Sequence, residues 1–122
     1  MLINLSNHPS ARWSAQQAEA ANRLYGEIVD LPFPQVDPNG DEAYVERLVD
    51  EYAGKVLQLA EKQPVTVHLM GEMTFCFALV SHLQKHDITC VASTTERIVK
   101  ESGYGTKEVI FKFVQFRNYT QL

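Results

Sequence analysis

Short runs of β-branched and apolar residues alternate along the chain with longer stretches whose apolar positions recur three and four apart. Leu2 to Leu5 reads as a strand. Trp13 to Tyr25 reads as a helix, because Trp13, Gln17, Ala20, Ala21 and Leu24 return at helical spacing. Ser10 or Ser14 is available to cap its start, and Gly26 stands just past its end, where a left-handed residue is expected. Glu27 to Asp30 is a short second strand. Leu31-Pro32-Phe33-Pro34 halts it, since proline offers no amide to a ladder. Asp37-Pro38-Asn39-Gly40-Asp41 is a turn and a helix start. The helix that follows runs to about Gln63, with Val45, Leu48, Val49, Tyr52, Val56, Leu59 and Ala60 on one face and Glu46, Arg47, Asp50, Glu51 and Lys55 on others.

Pro64 ends that helix and Val65 to Met70 is a β-branched strand, broken by Gly71-Glu72. Met73 to His86 is a helix apolar almost all round. Such a helix is expected to bury more than one face, one against the sheet and another against a second surface such as a dimer partner. Ile88 to Ala92 is the fourth strand, and Ser93-Thr94-Thr95-Glu96-Arg97 is expected to lead into a short helix. Gly103-Tyr104-Gly105 is a turn, and Val109 to Phe116 is a long final strand. The alternation predicts one α/β domain over residues 1–122, a Rossmann-like, mostly parallel five-stranded sheet with helices on both faces. The flavodoxin-like strand order 2-1-3-4-5 suits it. Because the last connection is short, strand five is expected at an edge, antiparallel.

Composition narrows the classes without choosing among them. At 122 residues, 45% apolar and 21% charged, the chain is sized for a single core. A net charge of −4 gives no surface attraction for duplex nucleic acid, so an anionic ligand has to be held locally. Cys76 and Cys90 lie in apolar runs without metal-ligand spacing and read as buried free thiols. No signal-peptide pattern and no membrane-spanning apolar run is present, so a cytoplasmic protein is expected.

The topology makes its own statement about function. In this architecture ligands bind outside the carboxyl ends of the strands, at the switch point between strands one and three. Ser6-Asn7-His8-Pro9 and Met70-Gly71-Glu72-Met73-Thr74 fall there, and Ser93-Thr94-Thr95-Glu96-Arg97 is expected beside them. Each segment also has a plain structural role open to it. Ser93 to Glu96 matches a capping box. Gly71 suits a tight turn, or the approach of a phosphate to helix amides. Glu72 suits the positive end of a helix dipole. His8 is a turn residue before Pro9 or a member of a site. His68 alternates with Val67 and Leu69, so it faces the other side of the sheet and is expected as a hydrogen-bonded core histidine. His82 and His86 stand four apart on a helix without a third ligand, so no metal is expected. No dinucleotide fingerprint, Walker A sequence, Cys-x-x-Cys pair or nucleophile elbow occurs, and no cofactor is expected.

With Trp13 and Gln17 behind it, the opening Ile3-Asn4-Leu5-Ser6-Asn7-His8-Pro9 resembles small CRISPR-associated proteins of type III systems. These are single-domain, CARF-like proteins that bind cyclic oligoadenylate messengers. The weaker likeness of Phe116-Arg117-Asn118-Tyr119 points the same way. In that family Ser and His tend to be adjacent, whereas here Asn7 separates Ser6 from His8. The resemblance implies a homodimer binding cyclic tetra- or hexa-adenylate, and an activity as a ring nuclease that ends the antiviral signal. Cleavage would be metal-independent, by attack of a ribose 2′-hydroxyl on the neighbouring phosphorus. It implies His8 and Arg97 as catalytic residues, with Ser6, Asn7, Gly71, Glu72, Thr74, Ser93, Thr94 and Thr95 binding the ligand. Other readings are a non-catalytic module that sequesters or reports the messenger, and a generic Rossmann-like nucleotide-binding or interaction domain.

Overall fold

A computed structural model of the chain describes residues 1–122. Five strands form one sheet in the order β2-β1-β3-β4-β5. They are β1 (Leu2–Ser6), β2 (Ile28–Asp30), β3 (Thr66–Met70), β4 (Thr89–Glu101) and β5 (Lys107–Asn118). The first four pair in parallel and β5 pairs antiparallel with β4 at the edge, as the alternation predicts. Helix α1 (Ala15–Tyr25) covers one face, while α2 (Glu42–Ala60) and α3 (Met73–Gln84) cover the other.

Side-chain alternation in the strands sorts the core into two unequal parts. Ile3, Leu5, Val67, Leu69 and Cys90 point to α2 and α3, where they meet Val49, Ala53, Val56, Phe75, Leu79 and Leu83 in the main cluster. The opposite face carries a small cluster of Leu2, Ala21 and Val91, ringed by Trp13, Tyr25, Ile28 and Phe116. The positions this second face shares with Leu2 and Val91 are polar: Asn4 and Ser6 on β1, and His68 on β3, are all buried. So much buried polarity on one face has to be hydrogen-bonded internally, or the fold pays its desolvation.

The helix ends follow their sequences. Ser14 caps α1 through the Gln17 amide, and Gly26 closes it at φ +86°, a backbone conformation that favours glycine. Asp41 caps α2. Between β1 and α1, Ser10–Arg12 makes a single 3₁₀ turn. Helix α3 buries Phe75, Cys76, Leu79, Val80 and Leu83 but leaves Met73 and Phe77 about 80% exposed, so its second apolar face is not covered within the chain. No helix is long and apolar enough to cross a membrane.

One expectation is corrected. Ser93-Thr94-Thr95-Glu96-Arg97 is neither a loop nor a capping box, and no helix follows it. These residues continue β4 without a break to Glu101. Beyond Val91 the strand leaves β3 and runs with β5 as a two-stranded arm. The physical reason is non-local. Ile98 stands opposite Ile110, Val99 opposite Val109, Glu96 opposite Lys112 and Lys100 opposite Glu108. These cross-strand pairs, on β-branched and oppositely charged residues, outweigh the local preference of Ser-x-x-Glu for a helix start. The turn at Ser102–Thr106 contains Gly105 at φ +75°.

Candidate functional site

The polar face of the sheet is organised by Asn4. Its Nδ2 donates to Asp30 Oδ1 at 2.8 Å and to the His8 carbonyl at 2.9 Å. Both partners are acceptors, which fixes the amide so that Oδ1 points the other way. Oδ1 in turn accepts from Ser6 Oγ at 2.8 Å and from His68 Nδ1 at 2.9 Å. Because Oδ1 has no proton to give, His68 carries its proton on Nδ1, and Nε2 is left as a lone pair. That lone pair faces Ser93 Oγ at 3.2 Å. Ser93 Oγ also lies 3.1 Å from Met70 Sδ, a weaker acceptor than imidazole nitrogen. Asp30, Asn4, His68 and Ser93 thus form one hydrogen-bonded line across β2, β1, β3 and β4.

Electrostatics keep this line in one protonation state. Burial, with a smaller contribution from the neighbouring His8, pushes the His68 pKa down to about 4. Burial alone would raise Asp30, but hydrogen bonds from Asn4 and from the Ser10 hydroxyl and amide outweigh it and hold the carboxyl below its usual range. The imidazole is packed by rings as well: Trp13 and Phe116 meet it edge-on at 5.2 and 5.6 Å between centroids.

Above this line opens a cleft of about 600 Å³ between the start of α1 and the arm. Its floor is His68, Met70 and Ser93, and one wall is His8, Arg12, Trp13, Ser14 and Gln17. Thr95, Phe111 and Phe113 form the other. The cleft lies at the carboxyl ends of β1 and β3, the switch point of this strand order. The Arg12 guanidinium, the His8 imidazole, the hydroxyls and the accessible rings of Trp13 and Phe111 suit a ligand with both anionic and flat apolar parts.

The expected site residues divide among several surfaces. His8, Ser93 and Thr95 line the cleft together. His8 is exposed, and its structural part is played by its carbonyl, which accepts from Asn4, from Trp13 Nε1 at 3.1 Å and from Ser6 Oγ. Ser6 is buried within the network, while Asn7 lies outside the cleft in hollows beside Phe33. Glu72 caps α3, accepting from the Thr74 and Phe75 amides. The Thr74 hydroxyl is bonded to the same carboxylate at 2.7 Å, and these bonds keep the Glu72 carboxyl below its usual range. Gly71 turns the chain where the Phe33 ring leaves no room for a Cβ. Thr94 donates to the Gln115 carbonyl. Arg97 is exposed on the arm opposite Phe111, beyond the cleft lining.

His68 is the buried, hydrogen-bonded histidine on the far sheet face that its alternation with Val67 and Leu69 predicts, whereas Asn4, Asp30 and Arg12 are not among the site residues expected from the sequence. A signal was there: Asn4, Ser6 and His68 interrupt apolar strands with one parity, which sets them on one face. The apolar groove of about 630 Å³ along α3 and residues 119–122 is lined by no side-chain carboxylate or imidazole. His82 and His86 stack at 5.2 Å, and no third histidine, cysteine or carboxylate joins them.

Fold and cleft together define a Rossmann-like α/β domain with a polar switch-point site. The model of the family described as Uncharacterized protein MJ1673 family matches residues 1–117, and the chain belongs to that family. No curated protein and no solved structure matches it.

Proposed function

We propose that the cleft binds cyclic oligoadenylate and cleaves it as a metal-independent ring nuclease of type III CRISPR signalling. The observation that carries this reading is the cleft itself, with Arg12, His8 and Ser93 beside the rings of Trp13 and Phe111. Adenine has a flat face for the rings to stack on, worth about 1–3 kcal/mol per base where a base stacks on an aromatic side chain. The phosphodiester has an anionic oxygen for Arg12, which a net charge of −4 elsewhere does not preclude. The ribose 2′-hydroxyl is the nucleophile, so the protein has only to align it, take its proton and neutralise the phosphoryl charge. The products are a cyclic 2′,3′-phosphate and a 5′-hydroxyl. A homodimer would offer two clefts to a ring that has internal rotational symmetry.

One observation favours a second reading, binding without turnover: His8 and Arg97 are not gathered over one point. Incubation with cyclic tetra- and hexa-adenylate, in EDTA and again with divalent metal, tests both. Linear products ending in cyclic 2′,3′-phosphate are expected. Binding with intact rings selects the second reading, and intact unbound rings reject both.

A further inference from the structure

We propose that Ser93, rather than His8, takes the proton from the attacking 2′-hydroxyl, with His68 behind it as the positioning residue that finally holds it. This rests on the ring-cleavage reading above and names the groups that would perform it. Three observations converge. The Asn4 amide, fixed by Asp30 and the His8 carbonyl, puts the His68 proton on Nδ1 and leaves Nε2 bare. The one hydroxyl facing Nε2 is that of Ser93, at 3.2 Å. The imidazole itself is only 2% exposed, so a ligand in the cleft meets it through Ser93.

The step balances. As the ribose O2′ closes on phosphorus, its proton passes to Ser93 Oγ, and the proton of Ser93 passes to His68 Nε2. The O2′–P bond forms and the P–O5′ bond breaks. The electron pair stays on O5′, which takes a proton from solvent or from His8 at the cleft wall. His68 returns its proton to solvent through Ser93 after the product leaves. The charged groups facing His68 are few. His8 and Arg12 come from the segment after β1, and Asp30 acts from β2 through Asn4. Ser14 and Gln17 at the start of α1, and Phe113 and Phe116 of β5, do not ionise. A bound phosphodiester adds the negative charge that lets the buried imidazolium form.

The test uses the full chain with cyclic tetra- and hexa-adenylate, measuring binding separately from single-turnover cleavage across pH. Ser93→Ala is expected to lose on the order of 100-fold or more in rate, the usual range for losing general-base help, while binding changes little. Ser93→Thr is expected to recover part of it. His68→Gln is expected to remove the acid limb of the pH–rate profile, which a merely structural role would not do. ¹⁵N spectra of the free protein read the tautomer directly, expected as a protonated Nδ1 and a bare Nε2. Wild-type cleavage with an equally fast Ser93→Ala variant, or a proton found on Nε2, overturns the relay and leaves ring cleavage standing. Rings that wild-type protein neither binds nor cleaves overturn ring cleavage, and the relay as a catalytic device falls with it.

Discussion

Lowering the pH from 7 towards 4.5 should destabilise this domain through one residue. The unfolded chain protonates His68 below its ordinary 6.5, whereas the folded chain resists until about 4. Between those values the unfolded state binds more protons, so stability is fully present above 6.5 and drains away as the pH falls. At ~1.4 kcal/mol per pH unit, the loss by pH 4.5 is roughly 2–3 kcal/mol. Urea melts at half-unit pH steps would read it as a midpoint lowered by on the order of 1–2 M, for slopes of ~1–3 kcal/mol per M. The comparison that isolates the residue is His68→Gln, whose amide can donate to Asn4 and accept from Ser93 without titrating. Asp30 and Glu72, both held below their ordinary values of 3.8 and 4.5, lose their contribution only at lower pH and stay out of the window. A wild-type curve parallel to that of His68→Gln between pH 7 and 4.5 would refute the account of His68 as a buried, neutral imidazole.

Other outcomes follow from the same geometry. Asn4→Ala leaves the buried His68 Nδ1 without its partner and should cost about 1–3 kcal/mol by denaturant melt, the usual cost of one buried group left unpaired, while the exposed Asp30 keeps its bonds from Ser10. His8→Ala removes an exposed side chain whose backbone carbonyl does the structural bonding, so stability should change by no more than about 0.5 kcal/mol. Gly71→Ala drives a methyl into the Phe33 ring and should lower stability by roughly 1–3 kcal/mol in the same melt. Burial pushes both the Cys76 and Cys90 thiols up to about 12, so labelling by a thiol reagent at neutral pH should proceed only as fast as the protein opens.

Much of the fold was legible because its determinants are local. Period-two runs, helical spacing, Ser14, Asp41, Gly26 and the prolines mark β1, α1, β2, α2, β3 and α3 within a few residues of their observed ends. The strand character of Ser93–Arg97 is not legible locally, because it comes from partners on β5 that stand 14 to 23 positions further along. The candidate site was legible in place more than in composition. His8, Ser93 and Thr95 do meet in one cleft, whereas Glu72 and Thr74 are occupied in capping α3.

What the sequence determined by itself is the strand order, the handling of helix ends and the existence of a polar face, since each depends on spacing and backbone preference. What only the tertiary structure decided is which polar atoms meet. Asn4, Asp30, His68 and Ser93 lie on four strands, up to 89 positions apart in the chain. Parallel register brings Asn4 opposite Asp30 and His68, and the bare Nε2 exists only because the Asn4 amide is locked by two acceptors at once. A tautomer depends on a third and fourth partner, and no local pattern carries that information.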